Sequence, residues 1–271
     1  MNQGCGKQGE ATLAPGGPLR AAFSALAFLT VIPVPERWKT GRQNGMFGAF
    51  PFAGLLIGGV LCAAAAGAAW LFPPTVAAVV LAGLSVLLTG AIHLDGLADC
   101  ADAFYGRRDR KDVLRILKDP RVGTMGAAAV GLSLLLRAAS FLSIPAGVLL
   151  PALPVAAMFA RAAVLPAMAL LPYVRGESGI ISAGAARGAG RTALGAAAVL
   201  IAIVLLPLPV AAALAGLALF WRLSWKKIGG CTGDVLGATI EIGEVLFFLA
   251  LAATEKAGLT WGLMYPLLSP R

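Results

Sequence analysis

Residues 75–102 read TVAAVVLAGLSVLLTGAIHLDGLADCAD, an apolar run that ends in three aspartates. Asp95, Asp99 and Asp102 are spaced i, i+4, i+7. At ~100° per residue, their carboxylates share one stripe of a helix. A single carboxylate inside a membrane is costly. Three on one stripe repel one another and take up protons unless cations lie between them. A divalent metal with oxygen ligands is the simplest physical account, and Mg²⁺ is the expected ion.

The rest of the chain supports a membrane setting. Of 271 residues, 59% are hydrophobic and 13% charged, and the mean hydropathy is +0.84. Soluble domains carry about 25% charged residues. The net charge of +9 is no nucleic-acid signal, because the bases lie in loops between apolar stretches, facing anionic headgroups. The four cysteines, Cys5, Cys62, Cys100 and Cys231, show no paired spacing, and His93 is the only histidine. A zinc site and a disulfide framework are therefore not expected.

Residues 1–18 read as a disordered extension, and 19–271 as one membrane-embedded domain. Leu19 to Ile32 is too short to span and reads as an interfacial or re-entrant helix. Spans are expected at Phe50–Phe72, Thr75–Ile92, Thr124–Leu142, Ala146–Val174, Thr192–Leu206, Val210–Trp221 and Val235–Ala253. The fourth is interrupted by Pro151, Pro154 and Pro166. The fold class is an all-α polytopic membrane bundle of about seven spans. Gly54 with Gly58, and Gly233 with Gly237, read as close helix-packing contacts.

Loop charges orient the bundle. Arg37, Lys39 and Arg42 precede the first span. Seven bases from Arg107 to Arg121 separate the second and third. Arg175, Arg187 and Arg191 follow the fourth, and Arg222, Lys226 and Lys227 the sixth. The other links, Pro73-Pro74, Ser143-Ile144-Pro145 and Pro207-Leu208-Pro209, are uncharged. All basic loops thus fall on one side, expected to be cytoplasmic.

A second acidic group, Asp234, Glu241 and Glu244, opens the last long span on that same side. Its members lie within about 80° of one another on a helix. Two acidic helices facing each other would hold one or two Mg²⁺ ions, as phosphoryl-transfer sites do. For either group alone, an ion pair with Arg137 or Arg161, or a coupling-ion site, is the alternative. Arg108, Lys111, Arg115 and Lys118 form a basic stripe, read either as a lipid-headgroup contact or as a phosphate clamp. Lys118, Asp119, Arg121 and Thr124 flank Pro120 and Gly123 at a helix start, a setting that suits an anion. Gly229-Gly230-Cys231-Thr232-Gly233-Asp234 has the same character. On a continuous helix His93 points about 160° away from Asp95 and reads as a structural hydrogen-bonding residue.

The motif His93-Leu94-Asp95-Gly96-Leu97-Ala98-Asp99-Cys100-Ala101-Asp102 resembles the signature of the adenosylcobinamide-GDP ribazoletransferase (cobalamin synthase) family. Four further segments agree, in order: Phe28 to Pro35, Phe50-Pro51 with Gly54 and Gly58, Arg115 to Thr124, and Gly229 to Asp234 with Glu241 and Glu244. Val31 stands where the family often has Arg.

The resemblance implies a membrane enzyme of cobalamin biosynthesis. The 3′-hydroxyl of α-ribazole, or of its 5′-phosphate, would attack the cobinamide-linked phosphate of adenosylcobinamide-GDP, and GMP would leave. Mg²⁺ would be the cofactor. Asp95, Asp99, Asp102 and Asp234 are the expected catalytic and metal residues, joined at the metal by Glu241 and Glu244. His93, Arg115, Lys118, Asp119, Arg121 and Thr232 are the expected substrate contacts. The inner membrane is the expected location and lipid an expected neighbour; homo-oligomers stay open. Other aspartate-rich membrane transferases differ in spacing, and the Asp-Gly-x2-Ala-Arg core of the phosphatidyl-alcohol type is absent. An ion-coupled transporter would instead carry broken helices in two repeated halves, with polar groups at the midplane.

Overall fold

The computed structural model describes residues 17–39, 45–174 and 189–259. The extension up to residue 16, Arg42, Arg175, Arg187, the side chain of Arg191 and the tail from residue 260 lie outside the described residues.

Helix α1 is Pro18–Leu29. A short 3-10 turn leads into α2, Phe50–Leu71. Then come α3, Pro74–Thr89; α4, Ile92–Phe104; and the short α5, Arg110–Ile116. Next are α6, Thr124–Ser143; α7, Ala146–Ala162; and α8, Val164–Leu170. The chain continues with α9, Ala189–Leu205; α10, Pro207–Ile228; and α11, Gly233–Lys256. Prolines open α1, α2, α3 and α10, where a missing N–H costs nothing.

Two expected interruptions move. Pro151 and Pro154 lie inside α7, and the break comes after them, at Ala163. Pro166 falls in the first turn of α8, a position that tolerates proline. The stretch expected as one span from Thr75 to Ile92 is two helices, α3 and α4, bent by 92°. Gly90 and Ala91, with φ of 61° and 60°, form the break. Val31 N–H donates to the Leu88 carbonyl at 3.0 Å and ties the N-terminal segment to it.

By length and composition, five helical stretches reach across a bilayer: 47–71, 124–143, 146–170, 207–228 and 233–256. The bent pair α3–α4 would make a sixth. The described residues do not reach the expected count of about seven. Helix α9 has 17 residues, about 25 Å at 1.5 Å each, against an apolar core of about 30 Å. The expected sixth span is longer than its apolar stretch and runs on to Ile228.

Helices α2 and α7 pack backbone to backbone. A Cβ on Gly54 would collide with the Ala157 carbonyl, and one on Gly58 with Pro154 Cα. That packing is what the Gly54–Gly58 spacing leads one to expect. The links at 72–74 and 144–146 border an apolar cavity of about 340 Å³. Two of the charged loops meet, those after α4 and after α10. Arg110 Nε donates to the Ile228 carbonyl at 2.8 Å, and Lys227 Nζ to that of Gly106 at 2.5 Å. Cys231 N–H donates to the Pro172 carbonyl at 2.9 Å.

Candidate functional site

The bend at 90–91 lays α4 across the first turns of α11. Contact is close because Gly96 has no side chain: a Cβ there would sit 2.7 Å from the Asp234 carbonyl oxygen. Gly237 approaches the backbone of Ile92 in the same way, at 3.3 Å from its carbonyl oxygen. The first turn of α11 is thereby held against the first turns of α4, at Ile92, His93 and Gly96. Asp95 and Asp234, 139 positions apart in sequence, line one cavity of about 180 Å³.

Asp234 is set by its own helix start. Thr232, fully buried, caps α11 by accepting the Val235 N–H, and its hydroxyl donates to Asp234 Oδ2 at 3.1 Å. Thr232, expected as a substrate contact, is in this structure the residue that orients Asp234. The positive end of the helix dipole favours the carboxylate at this position. The loop before it is pinned by the Ser224 hydroxyl, which donates to the Gly230 carbonyl at 2.6 Å. Burial pushes the Cys231 thiol up to about 12.

Asp102 turns elsewhere. Its Oδ2 accepts the Gly123 N–H at 2.6 Å and its Oδ1 the Gly126 N–H at 2.8 Å. The helix start expected to face a phosphate thus already holds an anion from the chain itself. A Cβ on Gly123 would stand 2.5 Å from Asp102 Oδ1, and one on Gly126 would collide with the same carboxylate. Asp102, expected among the metal ligands, caps α6, with both of its oxygens on backbone donors.

The basic loop is partly self-paired. Arg108 donates to the Asp102 carbonyl. Arg115 pairs with Asp112 at 3.3 Å, with both side chains exposed. Arg121 grips Asp119 through two contacts, Nε–Oδ1 at 2.9 Å and Nη2–Oδ2 at 2.7 Å. The Arg121 side chain holds the Asp119 carboxyl down at about 2, with the Arg121 backbone N–H adding to the effect. Lys118 is exposed.

Glu241 and Glu244 lie two or more turns deeper along α11 and are 5% exposed. Arg137 contacts Glu241 at 2.6 Å and Glu244 at 2.5 Å. Arg161 pairs with Glu244, and the Ser133 hydroxyl donates to Glu241 at 2.6 Å. Arg137 Nη1 also reaches Ser85 Oγ at 3.3 Å. These residues come from α3, α6, α7 and α11. The two glutamates, expected as metal ligands, pair with two buried guanidiniums, which would otherwise lie uncompensated among apolar helices.

His93 is 4% exposed, whereas Asp95 is exposed, so they do face apart as the helix spacing implies. Both still border the cavity. His93 Nε2 has no hydrogen-bond partner. The cavity lining also includes Phe28, Phe47 and Phe50, none of which stood out as a site residue. Their signal was the match of the segments from Phe28 to Pro35 and at Phe50-Pro51, which shows a shared motif but not that the two face the aspartates.

The donor set suits a hard cation. Asp95, Asp99 and Asp234 offer only carboxylate oxygens. Among the described residues no three His, Cys, Asp or Glu side chains form a ready metal cage. Mg²⁺ usually takes only one or two carboxylates and completes its shell with water and substrate phosphates.

A family model described as cobalamin-5-phosphate synthase matches residues 21–252. The adenosylcobinamide-GDP ribazoletransferase of Chlorobium phaeobacteroides (strain BS1) is 38% identical over 244 residues, covering 86% of this chain and 97% of that one. The protein of the same name from Sinorhizobium sp is 39% identical over 251 residues, with 85% and 95% covered. That of Klebsiella pneumoniae (strain 342) is 37% identical over 257 residues, with 86% and 99% covered. No solved structure matches the chain. With nearly the whole described bundle matched, from α1 through most of α11, the chain belongs to the cobalamin-5-phosphate synthase family.

Proposed function

We propose that this protein joins adenosylcobinamide-GDP to ribazole, or to ribazole 5′-phosphate, with release of GMP and with Mg²⁺ as cofactor. The reading rests on one observation above the others. Asp234 is seated on Gly96, and it lines one cavity with Asp95.

The ribose 3′-oxygen attacks the phosphorus on the cobinamide side. A new P–O bond forms there, and the bond from that phosphorus to the bridging oxygen breaks. GMP leaves with that oxygen and its electron pair, and the hydroxyl proton passes to a carboxylate or to water. Such a transfer needs positioning and charge neutralisation more than a covalent nucleophile. Asp95, Asp99 and Asp234 would hold the divalent cation, which neutralises the diphosphate when bound. Thr232 fixes the Asp234 carboxylate. Lys118, Arg115 and Arg121 place positive charge beside the departing GMP, with Asp119 aiming the Arg121 guanidinium. The bundle sits in the inner membrane, surrounded by lipid, with its basic loops and this site on the cytoplasmic face.

The test is GMP release by detergent-purified protein supplied with adenosylcobinamide-GDP and Mg²⁺. GMP is expected only when ribazole or its phosphate is added, one for each product formed. No GMP from folded protein with both substrates present would overturn the proposal.

A further inference from the structure

The cavity beside Asp95 and Asp234 has a mixed lining. Part of it is apolar and aromatic. Phe28 and Phe50 stack at 6.0 Å, Phe47 leans on Phe50 at 5.1 Å, and Ile240 belongs to the same lining. The polar residues of the lining are His93, Asp95 and Asp234. His93 is more than nine-tenths buried, and its Nε2 lacks a hydrogen-bond partner. That nitrogen is closed off from the cavity, so the cavity's character is set by its aromatic lining. The cavity, about 180 Å³, is of the size of one bicyclic ring system.

We propose that this cavity receives the flat heteroaromatic base of the acceptor riboside against Phe28, Phe50 and Ile240. The proposal rests on the transferase reading above and names the acceptor's place within it. Both substrates carry a bicyclic base. Guanine bears polar atoms around most of its edge, and an aromatic wall would leave them unpaired at high cost. The benzimidazole of ribazole has a single free ring nitrogen and an otherwise apolar edge. It loses little on entering and gains stacking contact. With the base held there, its ribose lies at the mouth lined by Asp95 and Asp234, where the attacking hydroxyl is needed.

The experiment separates the two substrates. Ile240→Phe narrows the cavity and is expected to raise KM for ribazole about tenfold, the loss of roughly one stacked contact. KM for adenosylcobinamide-GDP should stay within about twofold. Phe28→Ala, at a half-buried and more tolerant position, should raise the ribazole KM in the same selective way. Binding of ribazole alone, followed by its intrinsic fluorescence, should weaken in step. A ribazole KM unchanged in Ile240→Phe and Phe28→Ala, with the wild-type protein active, would overturn the pocket alone. A selective rise in the donor KM would assign the cavity to guanine and overturn it as well. An inactive wild-type protein would overturn the transferase reading and the pocket with it.

Discussion

The carboxylate of Asp102 accepts the backbone N–H of Gly123 at 2.6 Å, across the gap between α4 and the start of α6. With the Gly126 contact at 2.8 Å, one side chain does for α6 what a local N-cap does for most helices. The aspartate motif is thereby tied to the loop from Lys118 to Gly123. Asp102→Ala should destabilise the protein by about 1–2 kcal/mol, as for a lost N-cap. Asp102→Asn, which keeps one acceptor oxygen, should lose less. Gly126→Ala should also be destabilising, because its methyl meets the Asp102 carboxylate. Thermal unfolding in detergent measures all three, and limited proteolysis should show the 118–123 loop cut faster in Asp102→Ala.

The buried cluster of Arg137, Arg161, Glu241 and Glu244 is balanced, two charges against two. Removing one member leaves an uncompensated charge, at about 3–5 kcal/mol. Glu244→Leu is therefore expected to lower stability by that amount, with Arg137 and Arg161 both losing a partner. A metal-ligand role for Glu244 predicts a different result, in which added Mg²⁺ restores the variant. Unfolding curves with and without Mg²⁺ decide between them. The ion-pair assignment requires no rescue.

Asp234→Asn and Asp99→Asn should keep the fold, because each swaps nearly isosteric groups. Turnover should fall by about 100-fold or more, the scale seen when one preorganised electrostatic group is removed from a site. The residual activity should need more Mg²⁺ than the wild type. Near-normal turnover by Asp234→Asn at low Mg²⁺ would remove it from the cation site.

Cys231 offers a pH test in the loop before Asp234. Its buried thiol, held near 12 against an ordinary 9.0, donates to the Leu171 carbonyl at 3.4 Å. The folded-state value is raised, so the neutral thiol favours the fold. This contribution is complete below about pH 9 and is lost as pH climbs from 9 towards 12. At pH 8 about one thiol in ten thousand is ionised, and the thiolate is the reactive form. Iodoacetamide should leave Cys231 unlabelled in the native protein and label it after denaturation, as read by peptide mapping. Rapid native labelling at pH 8 would contradict the buried position.

The helical membrane class is legible in composition, because bilayer thickness and loop charge leave few alternatives. The match of Gly54 and Gly58 to Ala157 and Pro154 is of the same kind: small residues four apart invite a close neighbour. Pairwise choices are less legible. Spacing puts Glu241 and Glu244 on one helix face but does not say whether that face meets aspartates or Arg137 and Arg161, which lie on two other helices. Asp102 is similar, since its partners are backbone N–H groups that carry no side-chain signature. The aromatic wall of the cavity assembles from α1, the turn before α2 and α2 itself, so no local pattern announces it.

The bend between α3 and α4 was the least legible feature, because the apolar run from Thr75 to Ile92 continues straight through it. Gly90 alone reads as a tolerated helix glycine. The decisive residue is Ala91, the only non-glycine with positive φ among the described residues. A left-handed alanine costs about 1–2 kcal/mol; glycine removes that strain, and the greater entropy of its unfolded chain offsets part of the gain. Ala91→Gly should therefore leave the protein unchanged or up to about 1 kcal/mol more stable, with turnover retained. Ala91→Val, β-branched at the same φ, should be clearly less stable and should lose activity, because α4 would no longer lie across α11 to seat Asp234 on Gly96. Gly90→Ala should also destabilise: its φ is 61°, and the new methyl would stand 2.8 Å from Val31 Cγ1. Thermal unfolding paired with turnover gives the comparison. Equal stability of Ala91→Gly and Ala91→Val would mean that the backbone does not turn at this residue, and the juxtaposition of Asp95 with Asp234 would lose its cause.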